Sequence, residues 1–326
     1  MEESAQKNRK HTADTDFLLI FLPVLAAATL FVLVLSDKFN IKLFGKNYIK
    51  EVVYQRNASN SKQDIKPIIQ DEVTFIKTEE RFEKLKNELT VERGFYGLYI
   101  KDVGSGREFK YNTSSEFYGA SLYKVPIAAA VLKEVEKGKL SLDDTATYMP
   151  SDYASGTGVI SGYSHGIQLK IGDILTELLK NSDNTAQNIL LRTLSYKNVE
   201  ETFKSVVKDD ATSTYYRNNL TTPEEIGAVF EELYFGSYLN AENQQLLSEL
   251  MTNTSFEDRI SEHLAENLIF SHKIGSWPDT WHDCGVVLSD NHESELIVCL
   301  MSQKAPYENF QNACKMTAEF VNFLMN

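Results

Sequence analysis

Cysteine is scarce in this 326-residue chain: three thiols, Cys284, Cys299 and Cys314, cannot close a disulfide framework. All three fall in apolar segments, where a buried free thiol is the default reading. A tight turn around Asn291-His292 would instead set Cys284 opposite Cys299 and open the alternative of a cross-strand bridge. Concentrated basic charge is also missing. Thirty-three Lys and Arg stand against 46 Asp and Glu, a net charge of −13, and the cations are scattered. That excludes nucleic acid or an anionic membrane surface as the main partner. There is no internal repeat and no cofactor motif. The one suggestive metal run, His282-Asp283-Cys284, points to alternate faces of a strand, and no second ligand pair at zinc spacing follows it, so neither a metal nor a cofactor is expected. A hydrophobic content of 42% suits a globular core.

Long apolar runs are absent with one exception. Residues 17–35 carry no charge over 19 positions, about 28 Å of helix and close to the thickness of a bilayer core. The run is longer than a usual signal-peptide core, and Ser36-Asp37-Lys38 offers no small-x-small cleavage site, so we read it as a transmembrane anchor behind a polar tail, 1–16. Lys7, Arg9 and Lys10 before it nearly balance Lys38, Lys42, Lys46 and Lys50 after it, so charge does not orient it. Residues 36–72 are polar and aperiodic, as in a juxtamembrane stalk.

Three short motifs follow in order: Ser121-Leu-Tyr-Lys124, Ser182-Asp183-Asn184 and Lys273-Ile274-Gly275. Each has decoys. Ser-x-x-Lys recurs at Ser4, Ser59 and Ser205, Ser-Asp-Asn at Ser289, and Lys-Ile-Gly at Lys170. Context separates them. Ser121 follows Gly119-Ala120, where backbone can approach a ligand, and opens an apolar helix, so its hydroxyl sits at a positive helix terminus with Lys124 one turn away. Ser289-Asp290-Asn291 reads as a hairpin turn between strands, and Lys170 leads into a helix. Lys273 ends the strand-like run Leu268-Ile-Phe-Ser-His. A strand edge bearing a Lys and then a Gly can pair with an extended substrate while bringing a cation to its carboxylate.

Around these motifs, helical spacing is read over Val73 to Arg93, strands over Phe95–Val103 and Glu108–Tyr111, and helices after Ser121, over Asp173–Leu179 and Thr185–Leu194, and from Lys197. Thr222-Pro223-Glu224-Glu225 spells a capping box with Pro at the first helical position. Strands return at Leu268–Gly275, Gly285–Leu288 and Glu295–Met301, and Glu308–Met325 closes as an amphipathic helix. Strands at both ends around a helical middle imply a mixed α/β (α+β) fold over 73–326. In it an antiparallel sheet is flanked by the terminal helices, an all-helical lobe is inserted, and the site lies between the two. Pro126 falls early in a helix whose Leu122 carbonyl then loses its usual partner, and Tyr153 with Gly156-Thr-Gly158 reads as a surface loop or a gate over the cleft.

These motifs, with Leu178-Leu179 before Ser182, Thr185-Ala186-Gln187-Asn188 after Asn184, Thr221-Thr222-Pro223, and Asp283-Cys284-Gly285-Val286-Val287 after the third motif, resemble the class A β-lactamase-like group of the penicillin-recognising serine enzymes. The resemblance implies that Ser121 is the nucleophile and that Lys124, its ammonium discharged by burial and by Lys273, is the base. Ser182 would shuttle the proton to the leaving nitrogen, and Asn184 would hold the substrate amide and Lys124. Lys273 would bind the substrate carboxylate, Gly275 would leave room, and the N–H groups of Ser121 and Ser276 would form the oxyanion hole. Asp183 shapes the turn. Implied partners are a β-lactam or a peptidoglycan stem peptide, with the domain outside the cytoplasm. Two positions depart from the family. The loop before Thr221-Thr222-Pro223 reads Thr212-Ser-Thr-Tyr-Tyr-Arg-Asn-Asn-Leu220, without the Glu that activates water against the acyl-enzyme; Asp209 and Asp210, the nearest carboxylates, end the preceding helix. Ile274 stands where the family has a hydroxyl, which Ser276 would replace. A D,D-peptidase and a catalytically silent envelope-binding domain remain as alternatives; the second needs neither Lys124 nor Ser182.

Overall fold

The computed structural model describes residues 65–194, 196–207, 215, 217–289 and 295–326. The apolar run 17–35 and the stalk up to residue 64 lie outside the described residues, and among those described no helix is long and apolar enough to cross a membrane. Residues 76–326 form one compact unit.

The chain enters through α1 (Ile65–Val91), which starts before the expected Val73, and forms the hairpin β1 (Phe95–Asp102) and β2 (Glu108–Tyr111). A two-residue strand, β3 (Phe117–Tyr118), leads through a 3₁₀ turn over Ala120–Tyr123 into α2 (Lys124–Glu136). The helical lobe continues through β4 (Thr145–Thr147), β5 (Gln168–Lys170), α3 (Ile171–Lys180), α4 (Asn184–Thr193), α5 (Tyr196–Val207), β6 (Leu220–Thr221), α6 (Pro223–Phe235) and α7 (Ala241–Leu250). The sheet resumes with β7 (Leu268–Trp277), β8 (Thr280–Ser289) and β9 (Glu295–Gln303), and α8 (Tyr307–Met325) closes the chain. The order β2-β1-β9-β8-β7 is antiparallel throughout and leaves β7 at an edge.

Both faces of this sheet are covered, which explains why β9 reads as an unbroken apolar run. Ile297, Cys299 and Met301 face the helical lobe, while Leu296, Val298 and Leu300 face the terminal helices. α1 contributes Phe82, Leu85 and Leu89 to that second core, and α8 contributes Phe310, Ala313, Phe320 and Val321. Each such aliphatic or aromatic side chain adds about 1.5–3 kcal/mol by leaving water. The expected arrangement of terminal helices, antiparallel sheet and inserted helical lobe is therefore the observed one. The small pairs β3-β6 and β4-β5 are too short to carry a period and had no signal in the sequence.

Two local expectations resolve differently. The helix after Ser121 begins as a 3₁₀ turn, with the Lys124 N–H bonding the Ser121 and Leu122 carbonyls. The α-helix therefore starts only at Lys124, and Pro126 falls in its first turn, where no intrahelical N–H is required. The default of three free thiols is corrected: Cys284 and Cys299 are direct partners in the β8–β9 register and form a disulfide, leaving Cys314 free and buried. The turn at 290–294 lies outside the described residues, but the ladder on either side of it fixes the register that brings the two sulfurs together. The capping box at Thr222 forms as read: Thr222 accepts from the Glu225 N–H and Glu225 from the Thr222 N–H.

Candidate active site

The three motifs converge on Lys124, which is fully buried at the start of α2. Its Nζ lies 3.1 Å from Ser121 Oγ, 2.6 Å from the Ser182 carbonyl, 3.1 Å from Ser182 Oγ and 2.7 Å from Asn184 Oδ1. Burial pulls its pKa down to about 7, against a smaller upward pull from Asp183. The oxygens around it fit the neutral amine. The Ser182 carbonyl and Asn184 Oδ1 only accept, so they take its two N–H bonds, and its lone pair is left for the proton of Ser121 or Ser182. Among the described residues no carboxylate hydrogen-bonds to Ser121, Lys124 or Ser182.

The backbone is bent at both serines. Ala120, just before the nucleophile candidate, and Ser182 both adopt positive φ, 49° and 51°, a conformation that costs a non-glycine residue energy and that surrounding structure must enforce. At Ala120 the enforcement is visible: Asn219 Nδ2 donates to the Ala120 carbonyl at 2.9 Å, and the Gly119 N–H donates to the Asn219 carbonyl at 2.8 Å. At Ser182 the neighbouring Asp183 does the work expected of it. Its Oδ2 accepts from the Val159 and Ile160 N–H groups and its Oδ1 caps α4 at Ala186. Asn184 Nδ2 donates to the Ser155 carbonyl, and Thr157 Oγ1 to the Ser182 carbonyl. Gly158, at φ +108°, is pressed so close to Asp183 that a Cβ would stand 2.1 Å from its carboxyl. The Gly156–Gly158 loop thus braces the second motif, while Tyr153 beside it is exposed.

β7 supplies the opposite wall. Lys273 is buried, with the Ile274 carbonyl as its hydrogen-bond partner at 3.2 Å. Its pKa lies well below the ordinary value, through burial and then through the charges of Lys124 and Arg259. The expectation that Lys273 discharges Lys124 is thereby corrected: burial does this at Lys124, and the mutual repulsion is expressed at Lys273. Gly275 passes the nucleophile's turn closely, since a Cβ there would meet the Gly119 carbonyl at 2.9 Å and His282 Cδ2 at 2.7 Å. Ser276 Oγ accepts from Arg259 Nη2 at 2.7 Å.

Arg259 was not visible from the sequence. It is buried, donates to the Gly275 carbonyl at 3.1 Å and to the His282 carbonyl, and lies over Trp281, Tyr307 and Phe310. A buried Arg outside any motif looks like a surface Arg in sequence. The run His282-Asp283-Cys284 separates as alternation demanded: His282 goes to the Tyr118 carbonyl, Asp283 to His272 and Cys284 to its disulfide. The decoys also separate. Ser205 is exposed on α5, and Lys170 is exposed and pairs with Asp143.

A Ser-Lys pair joined by a second serine, between an α-lobe and the edge strand of a five-stranded antiparallel sheet, defines a serine acyl-transfer cleft. The chain belongs to the beta-lactamase enzyme family, whose sequence model matches residues 80–321. Similar proteins include the beta-lactamase of Streptomyces fradiae, 27% identical over 209 residues (58% of this chain, 68% of that protein). Another is the imipenem-hydrolyzing beta-lactamase of Enterobacter cloacae, 25% identical over 238 residues (68% and 81%). In fold the chain is similar to PBP-A, with a TM-score of 0.66 at 19% identity over 75% of this chain and 96% of that one. A beta-lactamase from Chitinophaga pinensis gives 0.68 at 22% identity over 76% and 100%.

Proposed function

We propose that the chain is a membrane-anchored serine hydrolase that forms an acyl-enzyme on Ser121 with β-lactams or with D-Ala-D-Ala-like cell-wall peptides. The observation that carries this reading is the buried Lys124, with its pKa near 7, 3.1 Å from Ser121 Oγ. Lys124 Nζ takes the Ser121 proton as Oγ attacks the carbonyl carbon, and the Ser121 and Ser276 N–H groups receive the oxyanion. The proton passes through Ser182 to the leaving nitrogen as the C–N bond breaks. Asn184 holds the substrate amide. Lys273 binds the substrate carboxylate, and the Ser276 hydroxyl, which accepts from Arg259, keeps its own proton to donate there in place of the hydroxyl absent at Ile274. No metal or cofactor enters this scheme.

Deacylation is slow in this reading, because 212–220 carries no carboxylate and a missing general base costs roughly 10²–10⁴ in the step it serves. The acyl-enzyme then accumulates, as suits a D,D-peptidase-like or penicillin-binding enzyme. PBP-A, whose fold this chain shares, has been solved as an acyl-enzyme with penicillin G. Two features support an extracytoplasmic domain: the apolar run 17–35, and the Cys284–Cys299 disulfide, a bond that persists in oxidising compartments.

Incubating the domain with a penicillin and weighing it intact tests the nucleophile. One adduct per chain is expected in the wild type and none in Ser121→Ala; an adduct that survives the substitution overturns the assignment. A burst of one equivalent followed by slow turnover is the expected time course, whereas burst-free rapid hydrolysis would show that another base, Asp209 or Asp210, serves the second step. Protease added to intact cells should remove the domain, and a domain protected until lysis would reverse the topology.

A further inference from the structure

His272 immediately precedes Lys273 on β7 and takes no part in the chemistry above, yet it is fully buried between two carboxylates. Its Nδ1 is 2.5 Å from Asp283 Oδ1 on β8, and its Nε2 is 3.2 Å from Glu257 Oε1. Both ring nitrogens face acceptors, and an imidazole donates from both only as the cation. The carboxylates in turn hold the segment before β7: Asp283 Oδ2 accepts the Ile260 N–H at 3.1 Å, and Glu257 Oε1 accepts the Thr254 N–H at 2.6 Å. Between Thr254 and Ile260 stands Arg259, which grips the Gly275 carbonyl and Ser276 Oγ.

We propose that the His272 imidazolium, bridging Asp283 and Glu257, is a positioning residue: it fastens the Thr254–Ile260 segment to the sheet and so holds Arg259, and through it Gly275 and Ser276, in register with Ser121. The role rests on the acyl-transfer reading for its consequence in activity, but not for its structure. Burial disfavours the cation, and the two carboxylates more than offset it, raising the pKa to about 9. Glu257 is correspondingly held down to about 2. The Phe270 ring stacks on His272 at 4.7 Å. The other titratable groups around the cluster are Arg259 and Asp258 of the same segment, Lys273 on β7, and the Cys314 thiol of α8, which lies within the field of Asp283. Deprotonation leaves one proton for two acceptors, so one of the two links opens and Arg259 loses its fixed footing.

Glu257→Gln is the chosen variant, because Glu257 is half exposed and its loss should leave the fold intact. In the wild type, the rate of Ser121 acylation by penicillin G should fall about tenfold along an alkaline limb centred near pH 9, the size expected for a small loss of alignment. In Glu257→Gln the limb should shift by a pH unit or more to lower pH, because the imidazolium has lost one counter-charge. Amide hydrogen exchange at Ile260, compared at matched intrinsic rates, should accelerate with the same pH profile, whether or not a substrate reacts. A limb that does not move, with Ile260 exchange unaltered in the variant, overturns the clamp. If penicillin never labels Ser121 while Ile260 exchange responds as stated, the acyl-transfer reading fails and the clamp stands.

Discussion

Lys124 in the helical lobe and His272 in the sheet are both fully buried bases, and they end in opposite charge states. Burial pushes each toward the neutral form. Around Lys124 the partners are hydroxyls, a carbonyl and an amide oxygen, all neutral, and the ammonium falls to about 7. Around His272 the partners are Asp283 and Glu257, and the imidazolium persists to about 9. The difference shows that partner charge, and not depth, sets the protonation of a buried base. A base that must accept a proton is surrounded by neutral oxygens, and a cation that must hold structure is flanked by carboxylates.

The largest effect should come from removing the neutral base. Lys124→Met keeps the volume and loses the proton acceptor, so acylation by penicillin should slow about 10²–10⁴-fold in a time course followed by intact mass. An unaltered rate would mean that another group takes the proton. On the other side of the comparison, Asp283→Asn leaves His272 with half its counter-charge inside the protein. Breaking a buried pair in this way costs about 3–5 kcal/mol, which denaturant unfolding would read as a large drop in midpoint; a drop below 1 kcal/mol would show the cation to be absent.

The two bases should also pull stability in opposite directions with pH. Lys124 is lowered from 10.5 to about 7, so the unfolded chain binds the extra proton between those values and this group adds stability as pH rises. His272 is raised from 6.5 to about 9, so its contribution is complete below 6.5 and lost as pH rises through 9. Relative to wild type, Lys124→Met should therefore lose stability from pH 7 to 10.5, and His272→Asn should gain it from pH 6.5 to 9. Each change is at most about 1.4 kcal/mol per pH unit. Equal slopes in both variants would dissolve the contrast. The smallest expected effect is at the decoy: Ser205 is exposed and donates to the Glu201 carbonyl of its own helix, so Ser205→Ala should leave the acylation rate within about twofold of wild type.

Much of this was legible in sequence where one residue type has one use. The order of strands and helices followed from apolar periodicity, and the Thr222 capping box and the hairpin β1–β2 appeared where their residues specify them. Ser121, Lys124, Ser182 and Asn184 were legible because a helical turn and a capped loop bring them together through local geometry. What stayed hidden depends on tertiary pairing. Arg259 and Glu257 sit in an irregular segment with no period, and His272 reads as one more residue in a strand until Asp283 is seen beside it. The disulfide was undecided because it needs the β8–β9 register to one residue, and a slip of one would turn the two cysteines to opposite faces. The start of α2 was misplaced by two residues because a 3₁₀ turn has the same composition as the first turn of an α-helix.

The most direct measurement is the titration of Lys124 itself, by NMR of the wild-type domain labelled at lysine Cε and Nζ, with Lys124→Met identifying the resonance. The account predicts a midpoint near 7 for this lysine alone of those that line the cleft at neutral oxygens. A Lys124 that stays charged to pH 10 would contradict it, because a cation with no lone pair cannot take the Ser121 proton.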